Sequence, residues 1–401
     1  MCRSVHKIRC FALLLLIEWA AILNPVYSQD SLAAKSGIQL SSLETADTVV
    51  ESQPVFFNSQ SRFLEFGDSS IKVGGYVKAD AIVDLDSISD TDRFDTRAIA
   101  TDGNDGNNFR LHARQTRLNV DLRHDELRAF VEVDFFGPSS TVRLRHAYGD
   151  FGGFRFGQTW STFVDPDVLP KLLDFEAPTG AFTTRRAVAR YQQKLDDVWE
   201  VSVAVEDPTS FGIPNGAPAG DVQSVLPDFV TEITHQSEDV HMRVAGFVSM
   251  ARWRPETGPI QDDIVWGVVG TTKLDFDSHN RLKCEVAFGD GLPKLRGVNP
   301  FGFDQSGNFE SSSALAWMIA IEHDWNDVLS STLAYSQRDR SVLFSDAPDS
   351  IERNQYLAAN LLWYPRKNLT YGVEYLWGSR FNKDGAEGEA HRIMLSARYA
   401  F

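Results

Sequence analysis

The sequence predicts an all-β protein, a transmembrane antiparallel β-barrel of about 16 strands with short periplasmic turns and long external loops. Three observations carry that prediction. Apolar and polar residues alternate by twos through segments about 10 to 14 residues long, the period of a strand with two unlike faces. The connections alternate strictly between short turn-rich stretches and long ones, a rule that a soluble sandwich has no reason to obey. Beyond residue 28 no apolar stretch approaches the ~20 residues of a membrane helix, so a spanning structure here must close a sheet.

Composition leaves room for this and excludes other classes. With 401 residues, 43% hydrophobic and 23% charged, the chain can bury a large core. Its net charge of -16 is scattered with no basic run, so no nucleic-acid partner is expected. Cys2 and Cys10 precede residue 28, and Cys284 alone supports neither a disulfide framework nor a zinc set, so no cofactor or metal is expected.

The first 28 residues read as a secretory signal peptide. Arg3, Lys7 and Arg9 precede an apolar run from Phe11 to Leu23, and Val26, Tyr27 and Ser28 form a small-residue cleavage site. Cleavage would remove those bases and Glu18, taking the formal charge from -16 to -18. Residues 29–70 are polar and weakly periodic and read as a flexible lead-in.

From residue 71 to 401 the barrel follows. The predicted strands are 71–86, 109–123, 127–137, 141–149, 153–162, 185–195, 198–207, 228–237, 240–254, 263–276, 280–290, 311–324, 328–339, 354–365, 368–381 and 389–401. Stretches such as 123–126, 149–153, 236–239 and 364–368 are rich in Asp, Asn, Gly, Ser or Pro, as hairpin turns are. Long connections such as 87–107, 163–184, 209–227 and 291–310 lie between them. The faces are clean: Leu369, Tyr371, Val373, Tyr375 and Trp377 alternate with Thr370, Gly372, Glu374 and Gly378. In the last strand Ile393, Leu395, Ala397, Tyr399 and Phe401 share the lipid side, and Phe401 is expected at the periplasmic aromatic girdle. A soluble barrel would also alternate, but with its apolar face inward, leaving the opposite ionisable residues unexplained. In a wide barrel they line water.

Several pieces carry a resemblance. They are Glu132 with Asp134, Phe135, Phe136 and Gly137, then Arg143 to Tyr148 as RLRHAY, Gly157 to Ser161 as GQTWS, and Asp174 with Phe175, preceded by GGYVKADAIVD at 74–84 and RQTRLNVDLR at 114–123. This stretch resembles the DcaP-like outer-membrane porin family, densely over 71–195 and in compatible register to Phe401. The resemblance implies a trimeric sixteen-stranded porin of a Gram-negative-type outer membrane that passes small, often anionic solutes. Relatives often carry an N-terminal coiled coil, whereas residues 29–60 show no convincing heptads.

A porin selects solutes at a narrow point where a long loop folds inward against a charged wall. The candidate loop is 163–184, carrying Asp165, Asp167, Asp174 and Glu176 with Lys171 as its one base. The facing wall should present Arg117, Arg128, Glu132, Asp134, Arg143, Arg145, Arg186 and Arg190. A file of fixed positive charge in a wet neck would favour small anions such as dicarboxylates, while the same arginines could instead serve to pair with the acids. The expected partners are thus outer-membrane lipid, small anionic solutes and two further copies of the chain. The alternative is a closed barrel acting as an adhesion or scaffold protein.

No nucleophile elbow, zinc-helix motif or phosphate loop is present, so no enzyme is expected. His235 and His241 read as turn residues, and His146 as an interface or girdle residue. Asp84, Asp86, Asp90, Asp92 and Asp95 read as a solvated loop, with Ca²⁺ binding as the weaker option. In the second strand, one parity sends Arg110, His112 and Arg114 outward. Charges facing lipid are costly, so either a bulge near Gln115 shifts the register, or this part sits above the bilayer, or it meets a neighbouring subunit, of which the implied trimer favours the last.

Overall fold

The computed structural model describes residues 64–401 apart from 67, 104–105, 209–212 and 215–216. The signal peptide and most of the lead-in lie outside the described residues. Among those described, sixteen long strands form one antiparallel sheet: β1 Ser69–Asp84, β2 in two parts Asn108–His112 and Arg117–His124, β3 Leu127–Asp134, β4 Arg143–Phe151, β5 Phe154–Trp160, β6 Arg185–Lys194, β7 Trp199–Glu206, β8 Asp228–Gln236, β9 Val240–Pro255, β10 Gln261–Asp275, β11 Asn280–Asp290, β12 Ser313–Asn326, β13 Leu329–Arg340, β14 Ile351–Arg366, β15 Leu369–Asn382 and β16 Glu387–Ala400. Each strand pairs with the next in sequence, and β16 returns to pair with β1 from Tyr76 opposite Ala400 to Asp84 opposite Arg392. The sheet therefore closes, which leaves no unpaired edge. Leu64–Phe66 folds back on the start of β1, which begins two residues earlier than the alternation suggested.

Alternation sorts the faces as read from sequence. Outward Val244, Ile264, Val286, Phe288, Ile321 and Leu395 are each at least 46% exposed, which water would penalise and lipid tails do not. Near the short-turn rim, Phe154, Trp199, Phe276, Trp325, Trp363 and Tyr399 are all exposed and form one aromatic girdle. Phe401 lies at this rim, its N–H donating to Gly75 O at 3.1 Å. The turns are as tight as their residues allow. Gly152 and Gly153 join β4 to β5 in two residues, both with positive φ (55° and 84°), as a type I′ hairpin requires.

Two bulges change which side chains face inward in β2 and β4. Tyr76 faces Arg117 but Asp80 faces His112, so one extra residue sits in the 113–116 break of β2. That flips the parity: Phe109 and Leu111 face lipid, and Arg110 and His112 turn inward. The subunit-contact reading of Arg110, His112 and Arg114 is thereby replaced by the bulge. Arg110 and Arg114 both bind Asp92, and the His112 ring lies 3.7 Å from Asp92 and 3.9 Å from Asp80. In β4 the extra residue is Arg145, because Glu132 faces His146 while Val133 faces Leu144. Arg145 and His146 are consequently both buried inward. His146 is no girdle residue: its ring bonds Thr159 Oγ1 at 2.9 Å and accepts from Arg185 Nε at 3.1 Å.

Much of the lumen is filled. Inward residues of β7 to β12 are often small, among them Ala204, Ala245, Ala251, Ala287, Ala314 and Ala316, and the space they leave is taken by Phe163 and Phe182 of loop 161–184 and by Leu292, Leu295 and Phe301 of loop 291–312. Ile88, Phe94 and Ile99 of loop 85–107 pack in the same way on Tyr356, Ala358, Leu376 and Ala390 of β14 to β16. The expected water-lined interior is therefore confined to part of the circumference.

Candidate functional site

Loop 161–184 joins β5 to β6 and folds into the barrel. It has one 3-10 turn, Pro166–Val168, so most of its amides need partners from outside the loop. Inward glutamates supply them. Thr162 N–H donates to Glu206 of β7 at 2.6 Å, Phe182 N–H to Glu285 of β11 at 3.1 Å, and Lys171 N–H to Glu322 of β12 at 2.9 Å. Leu173 and Asp174 N–H donate to the two oxygens of Glu374 of β15, each at 2.8 Å. Loop carbonyls are held from both sides of the barrel: Leu169 O accepts from Lys283 at 2.8 Å, Lys171 O from Asn360 at 2.7 Å, and Leu173 O from Lys78 of β1 and Gln115 of the break in β2 at 2.7 and 3.1 Å. At Gly180 the loop lies so close to β12 that a Cβ would stand 2.1 Å from Trp317 O, and only glycine fits.

The acids of the loop are engaged in this fastening. Asp165 is buried with His241, Thr271 and Arg243 around it, the His241 Nε2 contact being 2.8 Å. Burial pushes its carboxyl up, but the His241 hydrogen bond and the Arg243 charge outweigh that and hold it well below the usual carboxylate range. Asp167, nearby, is raised by burial and by the Asp165 charge. Asp174 accepts Phe94 N–H at 3.0 Å, and burial pushes its carboxyl up to about 6. Glu176 reaches Arg93, Arg97 and Arg296 at 3.4, 3.3 and 3.5 Å. Lys171 stands 3.8 Å from both Glu322 and Asp324. The structure thus gives the loop's charges anchoring partners on other strands and loops, in place of the acidic face turned to an arginine wall that the sequence suggested.

His241 also differs from its reading as a turn residue. It alternates inward with Arg243, Ala245 and Phe247, a parity legible in the sequence. Asp165, Asp167 and His241 each bring a ligand atom within 4.8 Å of the others. Both imidazole nitrogens already face acceptors, Gln236 Oε1 and Asp165 Oδ2 at 2.8 Å each, so the cluster is built as a hydrogen-bonded clamp. The aspartates of the first loop have arginine partners as well: Asp90 pairs with Arg93, Asp95 with Arg97, Asp92 with Arg110 and Arg114, and Asp84 of β1 with Arg392.

The opposite wall, β1 to β6 with β16, gathers guanidinium groups. Arg145 pairs with Glu132 at 2.8 Å and Asp134 at 2.9 Å, Arg143 with Asp134 at 2.7 Å, and Arg117 approaches Glu132 at 3.6 Å. Arg128 pairs with Asp121 at 3.0 Å. Two further arginines join them that the sequence reading did not select. Arg185 lies over the Trp160 ring at 3.5 Å and Arg398 over the Tyr76 ring at 3.9 Å. Both are in electrostatic reach of Arg117 and Glu132. Arg398 joins the group because closure sets β16 beside β1, a neighbour relation that local reading does not supply. Arg186 and Arg190 stand apart in role. Arg186 pairs with Asp228, and Arg190 donates to Trp160 O at 2.7 Å and Thr162 Oγ1 at 2.8 Å, fixing the root of the loop. The loop meets this wall at Phe175, which stacks on Phe136 at 3.9 Å and lies under Arg143 and Arg145.

A closed barrel with an apolar outer belt and a loop strapped across its lumen is the architecture of an outer-membrane channel. The chain belongs to the DcaP outer membrane protein family, whose pattern it matches over residues 51–401, and its place is the outer membrane. The crystal structure of the outer membrane channel DcaP of Acinetobacter baumannii is similar at a TM-score of 0.76 and 24% identity, covering 85% of this chain and 100% of that one. An anion-selective porin from Comamonas acidovorans aligns with a TM-score of 0.55 at 11% identity over 83% of this chain and 100% of its own. OmpT of Vibrio cholerae in its trimer form aligns with a TM-score of 0.51, also at 11% identity, over 83% and 99%. Comparison with curated proteins gave no match.

Proposed function

We propose that the protein is a passive diffusion channel for small hydrophilic solutes with a preference for anions, dicarboxylates among them. The observation that carries this is the charge balance at the wall. Arg117, Arg143, Arg145, Arg185 and Arg398 gather around two carboxylates, Glu132 and Asp134, so guanidinium groups outnumber the carboxylates described among them. Apolar packing of the loops covers β7 to β12 and the upper part of β14 to β16. The path left to water then runs along β1 to β6, past the guanidinium groups. Each arginine is fixed by an acid or an aromatic ring, so a carboxylate in transit meets preorganised donors at low entropic cost. Arg128 extends the file toward the short-turn rim.

The anion-selective and trimeric neighbours support an anion preference and a homotrimer for this chain, since the barrel is shared. A closed-lumen scaffold is the second reading, favoured by the contact of Phe175 with Phe136, which carries the loop onto the guanidinium wall itself. Liposome swelling separates the two. The channel reading expects influx of succinate to exceed that of a size-matched neutral solute, and that of the neutral solute to exceed that of a size-matched cation. Equal rates for all three would remove selection from the wall, and no swelling with folded protein would favour the scaffold.

A further inference from the structure

Near the long-loop rim, β13 and β14 place Arg338 opposite Asn354. Both point inward and are shut from solvent, Arg338 at 5% exposure and Asn354 at 0%. Arg338 Nη2 donates to Asn354 Oδ1 at 3.0 Å, which ties the two groups together. Arg338 Nη1 and Asn354 Nδ2 then have no hydrogen-bond partner among the described residues. Each is a donor and neither can accept, so they cannot satisfy one another.

The surrounding charge points the same way. Arg97, Arg296 and Arg340 are in electrostatic reach of Arg338, and Asp95 is the acid among them. Arg97 is occupied by Asp95 at 2.6 Å, Arg296 by Glu176 at 3.5 Å and the Thr183 hydroxyl at 3.0 Å, and Arg340 by Asp346 at 2.8 Å. Arg338 has a neutral amide as its side-chain partner. A guanidinium buried among like charges, with its own Nη1 and the Nδ2 of the amide it is tied to both lacking acceptors, is stabilised most by one negative charge. A neutral water can accept the hydrogen bonds but does not balance the charge.

We infer that Arg338 Nη1 and Asn354 Nδ2 hold one small monovalent anion of halide size, on the external side of the internal loop. The level is set by Ser336, two residues along the same face, whose hydroxyl accepts Gly180 N–H of that loop at 3.2 Å. The size is set by burial, which leaves no access for a larger solute. The anion adds the charge that lets Arg97 of the first loop, Arg296 of the sixth and the β13–β14 wall approach one another. It is a structural site, separate from the guanidinium file on β1 to β6.

Bromide is the probe. Crystals of the full-length protein equilibrated with sodium bromide are expected to give an anomalous peak within hydrogen-bond distance of both Arg338 Nη1 and Asn354 Nδ2. The thermal midpoint of the wild-type protein should rise with halide concentration at constant ionic strength in gluconate, and Arg338→Gln and Asn354→Ala should lose that dependence. Density without anomalous signal, a midpoint indifferent to halide, or a peak whose filling leaves the midpoint unmoved, an adventitious ion only, each overturns the inference. If Arg338→Gln does not fold, the wild-type map and titration still decide. A halide site at Arg338 in a channel that proves cation-selective would overturn the permeation reading and leave this one standing.

Discussion

Glu374 is the point at which the internal loop can be loosened most cleanly. Its buried carboxylate accepts N–H groups from Leu173 and Asp174 at 2.8 Å each and from Asn360 Nδ2 at 2.9 Å. Glu374→Ala strands two buried backbone donors, and each such donor costs about 1–3 kcal/mol, so the loss is on the order of 2–6 kcal/mol. At about 2–4 °C per kcal/mol for a chain of a few hundred residues, the midpoint of heat modification should fall by roughly 4–24 °C. Because Lys78 and Gln115 still hold Leu173 O, the loop should stay inside but move, and single-channel current should become noisier. Glu374→Gln, which keeps one acceptor oxygen, should fall between wild type and alanine. A Glu374→Ala protein with an unchanged midpoint and a quiet current would refute the view that the inward glutamates hold this loop.

Asp174 makes a pH prediction. Its folded pKa of about 6 lies above the unfolded value of about 3.9, so its contribution to stability is present below pH 4 and is lost as pH rises through 6. Asp174→Asn keeps an acceptor for Phe94 N–H, so it should raise the melting midpoint at pH 7.5 relative to wild type and flatten the difference between pH 4 and 6; a parallel pair of profiles would disprove it. Gly180→Ala should detach the loop locally, because the added methyl meets Trp317 O, and proteolysis of loop 161–184 in folded barrels should accelerate. Val286→Arg, on the lipid face and 50% exposed, should cost about 2–4 kcal/mol in folding into bilayers; a cost near zero would place that face in water. Arg145→Gln leaves Glu132 and Asp134 with less positive charge, so reversal potentials should move toward cation preference.

The period of two, and nothing subtler, made the barrel legible. Strands such as β11 and β6 begin at the residues where alternation begins, because lipid outside and polar groups inside impose the same pattern from both directions. The bulges at 113–116 and at Arg145 were the places where alternation misled, since one inserted residue reverses every side chain beyond it. That is how His146 came to be assigned to the wrong face. The inward alanines of β7 to β12 were visible as small residues, but the loop phenylalanines that fill the space they leave lie far away in sequence. The same holds for Glu206, Glu285, Glu322 and Glu374. Each stands on a different strand, and they become one set only when the loop crosses all four strands. The acids of the loop take partners that local spacing does not specify.

The most direct test of the account is the zero-current potential of the purified protein in a planar bilayer under a potassium chloride gradient. A potential of the sign given by chloride permeation, moved toward the potassium side by Arg117→Gln and by Arg398→Gln, is the predicted result. A potential set by potassium in the wild type, or one unmoved in both variants, would contradict a permeation path along the guanidinium wall.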